Sequence, residues 1–191
     1  MARRGGVVKA LATFSSLMSR RLALLLLLFP IAAPGQVAPT LRTRWSAQVD
    51  GTHPWPEYPR PQLVRTEWQS LNGPWDYAIT AREAGRPTRW DGRILVPFPP
   101  ESQLSGVRRA VTDCQRLWYR RRFAAPARRA GQRVLLHFDA VDWEAEVWVN
   151  GARVGTHRGE YDPFSFDVTD ALTRAGTQDI VLGVWDPTDR G

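Results

Sequence analysis

Two carboxylates, Glu144 and Glu146, stand two residues apart in the segment Trp143-Glu144-Ala145-Glu146-Val147-Trp148-Val149-Asn150-Gly151. Paired carboxylates are the groups that cleave glycosidic bonds, spaced about 5–5.5 Å apart for retention of configuration and about 6.5–9.5 Å for inversion. Residues i and i+2 of a strand share a face within that range, so the spacing alone admits the pair. Any alternating strand with one solvated face shows the same pattern, however, and nothing in the sequence sets one pKa apart from the other. The pair is therefore read as structural. Three histidines, His53, His137 and His157, are scattered, with His137 inside an apolar strand pattern. None has a second ligand at useful spacing, so no metal and no cofactor is expected. Cys114 is the only cysteine, which excludes an internal disulfide and a cysteine-type zinc site.

The elements that must carry these residues are strands. Ala145, Val147 and Val149 alternate with Glu144, Glu146 and Trp148, giving one apolar and one polar or aromatic face. Asn150-Gly151 supplies the two positive-φ positions of a type I′ hairpin turn, and Val154 is expected to begin the return strand. Period-two patterns also mark Trp75–Thr80, Arg93–Val96 (stopped by Pro97), Leu117–Phe123, Val134–Phe138, Tyr161–Thr169 and Ile180–Trp185. Between Asp170 and Gly176 one helical turn is expected, capped by Thr169 or Asp170. Seven or so short strands without a long 3.6-residue period indicate an all-β sandwich. Pro39, Pro54, Pro56, Pro59 and Pro61 make residues 36–65 an extended arm, pinned by Trp45 and Trp55. Residues 99–115 form a long irregular loop, a length usually associated with function or disorder.

The N-terminus is set apart. Residues 1–21 hold Arg3, Arg4, Lys9, Arg20 and Arg21 without an acid, and the apolar run Leu22–Phe29 and small residues follow. This predicts a signal peptide over residues 1–35, cut after Gly35, and an exported protein. A membrane-spanning helix needs about 20 apolar residues, more than this run offers. The whole chain carries 26 basic and 19 acidic residues; without the five basic residues of the leader it holds 21 against 19, a net +2. The high overall basicity thus belongs mainly to the leader, and neither nucleic acid nor, once the leader is removed, a membrane is an expected partner.

Seven blocks in order resemble the sugar-binding domain of glycoside hydrolase family 2, the β-galactosidases, β-glucuronidases and β-mannosidases. They are Pro54-Trp55-Pro56-Glu57-Tyr58-Pro59-Arg60-Pro61-Gln62, Leu71-Asn72-Gly73-Pro74-Trp75-Asp76-Tyr77, Ile94-Leu95-Val96-Pro97-Phe98, Leu117 to Phe123, the hairpin strand from Phe138 to Gly151, His157 to Thr169, and Val184-Trp185-Asp186-Pro187-Thr188-Asp189. Glu160 departs from a pattern that more often has a second glycine before the tyrosine. The resemblance implies a jelly-roll β-sandwich over residues 66–191, with further strand beyond Gly191 to close it. It also implies catalytic glutamates on a separate barrel domain of about 250 residues, for which this chain has no room, so that the chain alone would be inactive. The partners implied are a carbohydrate substrate and that barrel.

Loops that reach the barrel in the family make Glu101, Asp113, Asp186 and Asp189 the candidates for hydrogen bonds to sugar hydroxyls. The nine tryptophans suit sugar stacking, but Trp75, Trp118, Trp148 and Trp185 lie in strand patterns and are read as packing. A stand-alone secreted carbohydrate-binding module is the rival reading, and a protein-binding sandwich domain a third. Fold alone does not choose among them.

Overall fold

Alternation of apolar and polar residues builds eight strands among the described residues, and their pairing follows from which face each one buries. The computed structural model describes residues 42–187; the predicted leader and Asp189 lie outside the described residues. The strands are β1 (Gly73–Ala81), β2 (Gly92–Val96), β3 (Gln115–Ala124), β4 (Leu135–Phe138), β5 (Glu144–Val149), β6 (Ala152–Arg158), β7 (Phe164–Asp167) and β8 (Thr177–Trp185). Six form an antiparallel sheet in the order β2-β1-β3-β8-β5-β6, and β4 pairs with β7 in a second sheet. The two sheets make the β-sandwich that the sequence pattern predicts.

The core lies between them. Trp75, Ile94, Ala145, Val147, Val149, Ile180, Leu182 and Val184 are buried on the inner face of the large sheet, with Leu136, Phe138, Phe164 and Phe166 of the small sheet against them. Phe166 lies over Gly155, where an added Cβ would stand 2.2 Å from the ring. In central β8, Gln178, Ile180, Leu182 and Val184 are all buried. It extends three residues earlier than the apolar pattern suggests, because Thr177 and Gln178 still pair with Ala124 and Phe123.

The hairpin turn forms as its sequence requires, with φ of 49° at Asn150 and 85° at Gly151. The return strand begins at Ala152 rather than Val154. A two-residue turn brings Val149 directly opposite Ala152, and the register then shifts so that Val147 faces Gly155 and Trp148 faces Arg153. Val154 is the extra residue of a β-bulge.

Three expectations need correction. The expected helical turn lies earlier than 170–176: Leu172 N–H bonds to Val168 O in a single turn, and the cap is Asp167, whose carboxylate accepts from Thr169 N–H. The arm is not uniformly extended, since 3-10 turns occur at Ser46–Gln48 and Pro61–Leu63. Nor does Trp45 pin it, at 55% exposure; Trp55 is 57% exposed but its ring meets Phe98 at 6.5 Å, and Pro54 is fully buried. The long loop is ordered along the edge of β2, where Leu95 N–H bonds to Ser105 O. Buried Ser105 donates its hydroxyl to Ser102 O and accepts from Val107 N–H. A covered edge does not recruit stray strands. Among the described residues no helix is long and apolar enough to cross a membrane.

Candidate functional site

Glu144 and Glu146 project from the outer face of the large sheet into a chain of ion pairs. The Arg116 guanidinium bridges them, 3.2 Å from Glu144 and 3.0 Å from Glu146. Arg158 closes on Glu144 and Arg153 on Glu146, each at 2.8 Å. Each carboxylate thus meets two arginines. This fits a structural role.

The other candidates come from the turns. β1 and β5 antiparallel to their neighbours bring the C-terminal end of β8, the start of β3, the start of β5 and the end of β6 to one edge of the sandwich. Asp113 lies there against the indole of Trp185, the residue before Asp186. Trp185, the last residue of β8, donates its indole N–H to Asp113 O at 2.7 Å. The Arg82 guanidinium lies 3.5 Å from the centre of its ring, and Arg82 N–H bonds to Cys114 O. Trp143 N–H reaches Trp185 O at 3.4 Å, and Gly159 N–H reaches Trp143 O at 3.0 Å. The β1–β2, β2–β3, β4–β5 and β6–β7 connections are therefore tied to the end of one central strand.

Glu101 is not part of this group. It is exposed on the loop before β3, and its charge adds to the burial that pushes the Tyr119 phenol above its usual range. Asp189 lies outside the described residues.

Sequence reasoning missed three residues at the rim. Trp143 is 36% exposed and Tyr161 is 79% exposed; Glu160 accepts a hydrogen bond from the Tyr161 hydroxyl and raises its pKa. Arg82 is the third. The Trp143 position just before β5 offered a signal, while nothing in a polar loop marks Arg82. Trp75 and Trp118 are packed, as expected, at 5% and 2% exposure. An apolar ring face flanked by carboxylates is suited to a sugar, whose C–H face stacks while its hydroxyls donate to acceptors. Among the described residues no cluster of histidine, cysteine and acidic side chains has the geometry of a metal site.

Comparison with known proteins agrees with this architecture. The profile described as glycosyl hydrolases family 2, sugar binding domain, matches residues 103–189. A β-glucuronidase of Paenibacillus borealis is 31% identical over 121 residues, 59% of this chain and 20% of that protein. A β-galactosidase of Thermoanaerobacter pseudethanolicus is 39% identical over 64 residues, 34% of this chain and 9% of that protein. The solved Lactobacillus rhamnosus β-glucuronidase superposes with a TM-score of 0.52 at 27% identity, covering 62% of this chain and 21% of that one. The chain thus spans a fifth or less of the curated relatives' length. Residues 103–189 thus match the sugar-binding domain of glycosyl hydrolases family 2, and the sandwich agrees with that match.

Proposed function

We propose that the chain is the N-terminal sugar-binding part of an exported glycoside hydrolase, placed in the periplasm or outside the cell, acting on O-glycosyl bonds. In this reading the rim holding Asp113, Trp143, Trp185 and Asp186 forms one wall of the substrate pocket. The observation that carries it is the Trp185–Asp113 hydrogen bond, which joins two candidate sugar-binding segments 72 residues apart. Asp189 is proposed as a further sugar ligand, and Glu101 is the weakest candidate because no contact among the described residues joins it to this rim. The reaction would be retaining hydrolysis through a covalent glycosyl-enzyme intermediate. Its carboxylates would lie on a barrel domain outside this chain, because Glu144 and Glu146 are already committed to arginines. The chain alone would hydrolyse nothing.

The test is titration of the chain with methyl β-D-galactopyranoside and methyl β-D-glucuronide, followed by tryptophan fluorescence and NMR, beside a hydrolysis assay on the nitrophenyl glycosides. Saturable binding without hydrolysis supports the proposal. No binding at tens of millimolar, or turnover by the chain alone, overturns it. Binding by a chain whose reading frame encodes no barrel would favour a stand-alone carbohydrate-binding module.

A further inference from the structure

We propose that Trp185 and Arg82 are positioning residues, a clamp that fixes the spacing of Asp113 and Asp186 for a bound sugar; the proposal rests on the sugar-binding reading above. Three contacts close a triangle among three segments. Arg82 N–H holds Cys114 O at 2.9 Å, Asp113 O holds the Trp185 indole N–H, and the Arg82 guanidinium covers the Trp185 ring. Together the links restrain the loop that carries Asp113 against the strand end that carries Asp186.

The chemistry of each partner suits this role. A partly buried indole needs an acceptor for its one N–H, and here the acceptor is the backbone of a candidate ligand residue. A planar guanidinium stacks on an aromatic face in a way that the ammonium of lysine does not reproduce. Because Arg82 occupies one face of Trp185, that face is closed to a sugar ring. The accessible aromatic surface at the rim is that of Trp143 and Tyr161. Trp185 therefore acts through the residues it ties rather than as a stacking platform. Binding groups on loops lose effect when their supports shift by about 1 Å, and Asp113 lies in the loop two residues before β3 begins at Gln115.

The experiment uses the whole chain and whichever of the two methyl glycosides gives the larger saturable response. Trp185→Phe keeps a ring under Arg82 but removes the N–H, and is expected to weaken binding about tenfold. Arg82→Ala, at a side chain 44% exposed, leaves the fold intact should Trp185→Phe fail to fold, and is expected to weaken binding several-fold. The decisive readout is a double-mutant cycle with Asp186→Asn. If Trp185 positions Asp186, the loss caused by Asp186→Asn shrinks in the Trp185→Phe or Arg82→Ala background. Additive losses, or unchanged binding in both clamp variants, overturn the clamp while sugar binding by the unaltered chain stands. Failure of the unaltered chain to bind either glycoside overturns the sugar-binding reading and the clamp with it.

Discussion

Trp118 lies flat across Gly183 of the neighbouring strand, so close that a Cβ on Gly183 would stand 2.7 Å from ring atom Cζ3. The bare backbone of Gly183 is the space in which the ring is buried on the outer face of the large sheet, where it also meets Trp148 at 5.7 Å and donates its N–H to Thr80 Oγ1. Gly183→Ala must displace the ring or bend the central strand, a form of overpacking expected to cost about 1–3 kcal/mol. Gly85→Ala is the control, because nothing lies within 4 Å of its added Cβ. Urea denaturation of the two variants should show a lowered midpoint for Gly183→Ala alone.

Arg116 passes over β8 from β3 to reach Glu144 and Glu146 on β5. Its side chain is only 13% exposed, so its removal leaves two partly buried carboxylates with one exposed arginine each. Arg116→Ala is expected to lower stability by about 1.5–3 kcal/mol, the range for hydrogen bonds to charged groups. The double variant Glu144→Gln/Glu146→Gln should also be destabilised, yet in a full-length hydrolase carrying this domain turnover should stay within a few-fold. A loss of several decades would instead make the pair catalytic.

Much of this fold is written in local pattern. The alternation in Glu144–Val149 and the Asn150-Gly151 pair specify a strand and its turn without help from the rest of the chain, and both form. The bulge at Val154 is not legible, since it depends on how β6 must follow β5 over the Phe166 ring. Nor is the exposure of Trp45 and Trp55, because a proline-rich segment reveals its conformation but not its neighbours. At the candidate site, the pairing of Asp113 with the end of β8 is a long-range contact that only the sheet order creates. Arg82 carries no signal at all, as its importance comes from a ring 103 positions away in the sequence.

Acid should weaken the small sheet through Asp167. The Thr169 hydroxyl and N–H, and then Arg133, hold its carboxyl down to about 2 from an ordinary 3.8. A depressed carboxylate pKa stabilises the fold above the unfolded value, and that stabilisation is lost as pH falls through the folded one. The contribution is therefore complete above about pH 4 and gone below about pH 2. Melting temperature followed across this window should fall more steeply for the unaltered chain than for Asp167→Asn. Thr169→Val should flatten the acid limb more than Arg133→Ala, because the Thr169 bonds are the larger cause. Parallel curves for the parent and Asp167→Asn would rule Asp167 out.

Asn150 does more than turn the chain. Its side-chain N–H groups reach Ala171 O and the buried Gln178 Oε1, at 2.9 and 2.8 Å, and its Oδ1 accepts from Asp179 N–H at 2.9 Å. Turn chemistry alone makes glycine an acceptable replacement at a φ of 49°. The tertiary bonds argue otherwise, for Asn150→Gly keeps the turn but leaves Gln178, which is 0% exposed, short of a donor. Gln178 retains its bonds to Thr173, so the loss is partial, and a cost of about 1–3 kcal/mol is expected. Asn150→Asp separates the two roles. Aspartate still accepts from Asp179 N–H and tolerates the left-handed conformation, but it cannot donate to Gln178 or Ala171. If both variants lose the same stability in urea, the donated bonds matter and the accepted one does not. If glycine alone is harmful, the Asp179 contact is what fastens the hairpin to β8.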